Sequence, residues 1–311
     1  MKTYILNSVA EETLAYARKW LDVAMWEKED SWPADAEALI VRTHPVTRDM
    51  MDVMPKLKII CRHGVGLDAI DINYALGKGI RVVNTPTANT NSVVEHIMGL
   101  ILDCAHKITA SYLKELEGLQ EKMPLSLSGL EISGKRLGLI GTGHIGTLVG
   151  KRLKAGFDME ILAWSPHITE EYCQKNGFMR AQSLDILYRT CDVISLSVPL
   201  TKETMNMIGW PELTIMQPQT ILINTSRGGI VDENALYKAL KEKRIFGAGF
   251  DAFSIEPLPA NHPLFQCSNF IATPHNAANT RDALLAMGKQ SVDEIVRMMH
   301  GEDAMHPVCA R

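Results

Sequence analysis

Apolar positions along the chain follow two rhythms. Short β-branched runs, such as Ala38-Leu39-Ile40-Val41, alternate with longer stretches where apolar residues return every three or four positions. The short runs read as strands buried on both faces, and the longer rhythm as helices packed on one side. Their alternation predicts an α/β fold on parallel sheets. In the first third, strands are predicted at 4–6, 38–41, 57–60 and 80–83, with a helix over 68–78 ended by Gly79. A long helix follows over 91–117, capped by Ser92 with Glu95 three residues on, and with Val94, Ile97, Met98 and Ile101 on its apolar face. The segment 123–134 is rich in turns. A second α/β unit opens at Arg136-Leu137-Gly138-Leu139-Ile140, with further strands at 160–163, 193–196, 221–223, 247–250 and 270–272. A last helix, 282–299, carries the stripe Leu284, Leu285, Met287, Val292, Ile295, Val296 and Met299.

Length adds a domain count. A chain of 311 residues exceeds the usual single core, so two domains are expected. With Lys+Arg 32 against Asp+Glu 36, no basic excess exists to neutralise a phosphate backbone, so nucleic acid is not an expected partner. The basic group 241–244 is interrupted by Glu242 and reads as a solvated helix end. No uncharged apolar stretch reaches the ~18 residues of a membrane span. Glu11 and Glu12 stand where a signal peptide needs an apolar run, so a cytoplasmic protein is expected. The cysteines at 61, 104, 173, 191, 267 and 309 are scattered, with no C-x-x-C pair. They predict reduced, packing thiols rather than a disulfide frame or a metal site.

The sharpest local signal is the strand Leu137-Gly138-Leu139-Ile140 running into Gly141-Thr142-Gly143-His144-Ile145-Gly146 and then a helix through 148–153. In that context G-x-G-x-x-G binds a dinucleotide. Gly141 permits the tight turn, Gly143 lets the backbone approach a pyrophosphate, and Gly146 lets the helix pack on the sheet. The helix N-terminus at His144 and Ile145 offers N–H groups to the phosphates. About twenty positions on, an acidic residue would select NAD. The chain reads Ala163-Trp164-Ser165-Pro166-His167, so Ser165 stands there. No carboxylate repels a 2′-phosphate and no Arg or Lys welcomes one; His167 is the one candidate for that role. NAD is favoured and NADP stays open.

Three downstream segments each end a predicted strand. They are Asn224-Thr225-Ser226-Arg227-Gly228-Gly229, Gly249-Phe250-Asp251-Ala252-Phe253 with Glu256-Pro257 after it, and Thr273-Pro274-His275-Asn276-Ala277-Ala278. An Arg flanked by small residues can present its planar fork to a carboxylate. Hydride loss from a hydroxyl-bearing carbon needs a base for the O–H proton; His275 suits this near neutral pH, and Glu256 behind it would fix the tautomer. Arg227 would hold the substrate carboxylate and polarise the 2-oxygen. Singly, each residue has a structural alternative: His275 a loop residue, Glu256 a turn residue, Arg227 a partner of Asp232. Their combination behind a dinucleotide fingerprint favours hydride chemistry.

These residues carry a family resemblance. With Arg62-His63-Gly64-Val65-Gly66-Leu67-Asp68, Asn84-Thr85-Pro86 and Ser92-Val93-Val94-Glu95-His96, the chain resembles the D-isomer-specific 2-hydroxyacid dehydrogenases. That family includes phosphoglycerate dehydrogenase, glyoxylate/hydroxypyruvate reductase and D-lactate dehydrogenase. The resemblance implies two Rossmann-like or flavodoxin-like domains with doubly wound parallel sheets. A nucleotide domain (102–282) would be inserted into a discontinuous substrate domain (1–101 plus 283–311). It implies that the N–H groups of Val65 and Gly66 receive the substrate carboxylate alongside Arg227, and that Asp251 meets the nicotinamide amide. Val198, Pro199, Thr204 and Thr225 would lie along the cofactor, as would Arg227 and His275. A homodimer is also implied, with 107–119 a contact region, and no serine-sensing regulatory domain is expected. Two departures stand out: Ser165 at the coenzyme position, and Ala277-Ala278 where the family usually places a Gly soon after the catalytic His.

Substrate choice would rest on Arg42, Thr43 and His44 after one strand and Arg62 and His63 after the next. Two basic clusters predict a substrate with a second anionic group, of the 3-phosphoglycerate, sulfolactate or hydroxypyruvate type; the alternative makes Arg62 a scaffold residue. Rival functions are a dinucleotide-sensing regulator without turnover and a formate or phosphite dehydrogenase. The retained His–Glu pair argues against formate, whose oxidation releases no O–H proton to an imidazole.

Overall fold

The computed structural model describes residues 1–27 and 31–309. The chain forms two compact units: Met1–Ser92 with the stretch from Ala278 on, and Val93–Ala277. The cuts expected from sequence, after 101 and 282, lie further along the chain.

In the first unit the elements are β1 (Lys2–Leu6), α1 (Glu11–Ala17), β2 (Asp22–Trp26), β3 (Ala38–Val41), α2 (Arg48–Asp52), β4 (Ile59–Arg62), α3 (Ile72–Gly77) and β5 (Arg81–Val83). The strands pair in parallel in the order β2-β1-β3-β4-β5. Side chains alternate between faces along a strand. Leu39 and Val41 of β3 therefore join Met50, Met51 and Ala75 in one core, while Ala38 and Ile40 join Ala17, Val292 and Ile295 in another. The second core is completed from the far end of the chain, by the helix Arg281–Met299. Gly288 of that helix lies against α1: a Cβ there would stand 2.2 Å from the Thr13 hydroxyl. Truncating a wholly buried Ile such as Ile40 to Ala would cost about 2–5 kcal/mol.

The second unit runs α4 (Thr90–His106), α5 (Ile108–Leu116), β6 (Arg136–Ile140), α6 (His144–Phe157), β7 (Glu160–Trp164), α7 (Glu170–Asn176), β8 (Met179–Arg180), α8 (Leu184–Thr190), β9 (Val193–Leu196), α9 (Trp210–Ile215), β10 (Ile221–Asn224), α10 (Glu233–Lys241), β11 (Gly247–Phe250) and β12 (Phe270–Ala272). The unit boundary falls in the first turn of α4, and α11 (Arg281–Met299) returns the chain to the first unit. Seven parallel strands order as β12-β11-β10-β9-β6-β7-β8. The chain leaves β6 in one direction for β7 and β8, then crosses back to β9 on the other side. Strand order thus reverses between β6 and β9.

Three helix expectations need correction. The helix expected over 91–117 is two helices, parted where Lys107 adopts φ +53, a left-handed conformation that ends an α-helix. Ser92 lies inside α4, which already begins at Thr90, so it is not the cap. The helix expected from 68 begins only at Ile72, capped by Asp71 accepting from the Tyr74 N–H at 3.0 Å, because Ile70 is drawn into a bridge with Val46. Strands β2 and β8 escaped prediction, being an edge strand exposed at alternate positions and a two-residue edge. Five cysteines are buried free thiols and Cys309 is exposed. Among the described residues no helix is long and apolar enough to cross a membrane.

Candidate active site

Open parallel sheets bind ligands beyond the carboxyl ends of their strands, where strand order reverses. The glycine loop directly follows β6, at that point of the second unit. Gly141 has φ +101, and a Cβ there would meet the Ser197 carbonyl oxygen at 2.2 Å, so only glycine makes the turn. A Cβ on Gly146 would meet the Gly141 carbonyl oxygen at 2.2 Å, so α6 starts hard against the turn. Gly143 is different. It precedes α6 with no side-chain cap, and nothing lies within 4 Å of where its Cβ would stand. Backbone at His144 and Ile145 thus has room for a pyrophosphate, with the positive end of the helix dipole behind it. The loop is braced from the side: Tyr172 Oη donates to the Thr142 carbonyl at 3.1 Å, and Thr147 Oγ1 to that of Gly143 at 2.7 Å.

Ser165 follows β7 half-buried, and His167 is exposed beyond it. Beyond β9, Val198 is buried and Pro199 exposed. Thr204 Oγ1 donates to the Pro199 carbonyl at 2.6 Å, closing a turn upon itself. These positions lie at the carboxyl edge of the sheet, with the glycine loop; their groups fit a dinucleotide.

Asn224 ends β10 and shapes the next turn. Its Oδ1 accepts from Ser226 N at 3.1 Å and Ser226 Oγ at 2.7 Å, and its Nδ2 donates to the Arg227 carbonyl at 2.8 Å. Thr225 and Arg227 are both half-buried in this turn, and Arg227 Nη1 donates to the Ser226 carbonyl at 2.7 Å. Gly228 lies directly on the loop after β11, where a Cβ would come within 1.9 Å of the Phe253 carbonyl carbon. The Arg227 and Glu256 loops therefore meet backbone to backbone at Gly228.

Glu256 is held at both oxygens. Oε1 accepts from the Phe253 N–H at 2.9 Å and Oε2 meets His275 Nδ1 at 2.8 Å. An ionised carboxylate only accepts, so Nδ1 carries the proton and Nε2 the lone pair, the tautomer a general base requires. With side chains 36% and 48% exposed, the pair adds little stability; its worth is orientation. His275 itself has φ +52, a left-handed conformation that costs a non-glycine residue about 1–2 kcal/mol and needs its neighbours to hold it. Asp251, buried at the end of β11, does so. Its Oδ1 accepts from Thr273 Oγ1 at 2.6 Å and Asn276 N at 2.9 Å, and its Oδ2 from Ala277 N at 2.9 Å.

Within the first unit, the loop after β4 carries the remaining expected residues. His63, Gly64, Val65 and Gly66 have every carbonyl engaged: by Arg62 Nη1 at 2.6 Å, Thr85 N at 3.1 Å, Asn84 Nδ2 at 2.9 Å and Arg62 Nε at 2.7 Å. Among the described residues no partner meets the Val65 or Gly66 N–H. Two adjacent free N–H groups on a loop pinned by its carbonyls suit a carboxylate. Arg62 thus braces this loop through Nε and Nη1. His63 is turned inward. It is 2% exposed, its Nε2–H donates to the Leu284 carbonyl at 3.1 Å, and burial lowers its pKa to about 4. A neutral, buried imidazole offers no charge to an anion. Arg42 Nη2 donates to Asn279 Oδ1 at 2.9 Å, and His44 packs edge-on against Trp32 with Nδ1 on the Pro45 carbonyl at 2.7 Å.

Sequence reasoning passed over several contributors. Asn84 and Thr85 stood in a quoted motif but received no role. Asn7, at φ 86, accepts from the Thr43 and His44 N–H groups at 3.0 Å each. Glu233 Oε1 accepts from Ser254 N at 2.7 Å and so tethers the Glu256 loop. An Asn after a strand was the only available sign for Asn7; nothing local marked Glu233.

Residues 98–277 match the NAD binding domain of the D-isomer specific 2-hydroxyacid dehydrogenases. The D-3-phosphoglycerate dehydrogenase of Methanocaldococcus jannaschii is 41% identical over 275 residues, 88% of this chain and 52% of that protein. The chain thus spans about half of that relative. The glyoxylate reductase of Thermofilum pendens is 36% identical, with 97% of this chain and 92% of that one covered. Among solved structures, the NADPH-dependent glyoxylate/hydroxypyruvate reductase of Sinorhizobium meliloti superposes with a TM-score of 0.88 at 27% identity, covering 99% of this chain and 97% of that chain.

Proposed function

We propose, from the premise that the chain belongs to the D-isomer-specific 2-hydroxyacid dehydrogenase family, that it interconverts a small 2-hydroxy acid and its 2-oxo acid with a nicotinamide coenzyme. The observation that carries the reading is the 2.8 Å contact between His275 Nδ1 and Glu256 Oε2, in the same compact unit as the glycine loop and Arg227. When bound, the coenzyme supplies or accepts hydride at the carbon bearing the 2-oxygen. Gly141, Gly143, His144, Ile145 and Gly146 would hold its pyrophosphate, and Ser165 its adenosine ribose. In oxidation, His275 Nε2 takes the hydroxyl proton while Glu256 favours the resulting imidazolium; in reduction the same nitrogen returns it. Arg227 neutralises the substrate carboxylate and polarises the 2-oxygen, and the Val65 and Gly66 N–H groups serve the carboxylate as well.

Ser165 brings no carboxylate against a 2′-phosphate, so NADPH is tolerated; no Arg or Lys stands in the 163–167 stretch to hold that phosphate, so NADH is the favoured coenzyme. With Arg62 and His63 committed elsewhere, Arg42 and His44 are the groups left to meet a second anion on the substrate. A homodimer is supported by the exposed apolar residues Ile108, Tyr112, Leu113 and Leu116 of α5. Free cysteines fit a reducing, cytoplasmic setting.

The test is steady-state reduction of glyoxylate, hydroxypyruvate, 3-phosphohydroxypyruvate, 3-sulfopyruvate, oxaloacetate and pyruvate, each with NADH and NADPH. Turnover is expected and should fall about 10²–10⁴-fold in His275→Ala with NADH binding retained. Absence of turnover on the whole panel, with NADH bound tightly, would overturn the enzyme reading. Doubly anionic substrates reduced no better than pyruvate would remove Arg42 and His44 from substrate choice.

A further inference from the structure

His96, on the second turn of α4, belongs to the Ser92–His96 stretch that the hydride reading leaves without a role. We propose that His96 is a positioning residue for the catalytic histidine, acting through Thr273 on the buried carboxylate of Asp251. The proposal rests on the reading of His275 as the proton acceptor.

The chain of contacts is short. His96 Nε2 lies 2.9 Å from Thr273 Oγ1 and 3.6 Å from Asp251 Oδ1. Thr273 has one hydroxyl proton and two acceptors in reach, Asp251 Oδ1 at 2.6 Å and the Phe250 carbonyl at 3.4 Å. The shorter, charge-assisted contact takes the proton. The hydroxyl oxygen is then an acceptor toward His96, which must hold its proton on Nε2. A directed relay results, from His96 Nε2–H to Thr273 Oγ–H to Asp251 Oδ1. Asp251 in turn binds Asn276 and Ala277, so the residues flanking His275 on both sides are tied to one carboxylate that is 1% exposed.

His275 needs this frame, because its left-handed backbone does not hold itself. Without the His96 donor, the Thr273 hydroxyl oxygen loses the bond that polarises it and fixes its rotamer, and the amino-terminal side of the loop is held to Asp251 less firmly. A catalytic group misplaced by a fraction of an ångström loses rate, while the glycine loop, which lies outside this relay, keeps the coenzyme.

The test compares His96→Leu, which removes the donor, with His96→Gln, whose amide N–H stands in for Nε2–H. For H96L, kcat in 2-oxo acid reduction should fall about tenfold or more, with KM and the NADH Kd changed by no more than about twofold. H96Q should recover to within about threefold of the wild type. Thr273→Val breaks the same relay from its middle, so it should resemble H96L, and the H96L/T273V double variant should be no worse than the poorer single one. If H96L fails to fold, T273V and H96Q carry the comparison. A second readout needs no turnover: the His275 imidazole resonance, assigned by its loss in His275→Asn, should shift or broaden in H96L and T273V and overlay the wild type in H96Q. An H96Q as poor as H96L, an H96L resonance identical to the wild type, or a parallel loss of NADH binding each overturns the proposal. Should the wild type reduce no 2-oxo acid, the activity reading falls, and the resonance still decides the role of His96.

Discussion

Replacing His63 by Gln should remove most of the acid sensitivity of the first unit between pH 7 and 5. His63 follows β4, with Nε2–H on the Leu284 carbonyl of α11 and a buried Nδ1 that meets no partner among the described residues. Burial lowers its pKa from 6.5 to about 4, and the nearby Arg42 and Arg62 charges push the same way. The unfolded chain accepts a proton that the folded chain refuses. The site therefore costs nothing well above pH 6.5, weakens the fold as pH drops from 6.5 toward 4, and costs no more below that, where both states are protonated. Full depression is worth about 3 kcal/mol, and about 2 kcal/mol is already lost at pH 5, against a total stability of roughly 5–15 kcal/mol. The depressed carboxylates of this unit, Glu12, Asp35, Glu37, Asp52 and Asp71, are solvated and titrate lower, so they do not compete in that window. Gln keeps the donor to Leu284 and does not titrate. Amide exchange of β4 and α11, read by mass spectrometry at pH 7 and pH 5, compares both proteins at equal pH, so intrinsic exchange rates cancel. The wild type should lose about 2 kcal/mol more protection than H63Q. Equal losses in the two proteins would refute a buried, neutral His63.

Gly228→Ala should push the Arg227 loop off Phe253, costing about 1–3 kcal/mol by thermal melting and at least about tenfold in kcat with NADH binding kept; unchanged kinetics would mean the loop contact is irrelevant. Glu256→Gln should move the apparent pKa of the oxidation profile downward, because the imidazolium loses its carboxylate; a superimposable profile counts against the couple. Ser165→Asp should raise the NADH-to-NADPH ratio of kcat/KM by like-charge repulsion of the 2′-phosphate, and an unaltered ratio would take Ser165 away from the ribose.

The parallel sheets were legible because buried strands such as Ala38–Val41 and Val193–Leu196 are apolar at nearly every position, a pattern an edge strand lacks. Asp22–Trp26 is exposed at alternate positions and left no such trace. The glycine roles were readable because the motif itself is local, and a Cβ on Gly146 would meet the Gly141 carbonyl oxygen five residues back, although what presses on Gly141 is Ser197, far along the chain. The burial of His63 was not legible for the opposite reason: its partner, the Leu284 carbonyl, stands on a helix more than two hundred residues on, and that contact decides whether the imidazole is spent on backbone or left for a ligand. The break at Lys107 likewise sits within an unbroken helical pattern, and only the positive φ reveals it.

The return of α11 to the first unit sets an order of events during synthesis. Ile5, Ile40 and Ile59 share their core with Val292 and Ile295, which leave the ribosome only after all of Val93–Ala277 has been made. At about 5–20 residues per second, that wait is roughly 10–40 s. The second unit can close as soon as it emerges, whereas the nascent first unit carries one bare apolar sheet face throughout. The two halves of the newborn chain thus complete their cores in the reverse of the order in which they are begun.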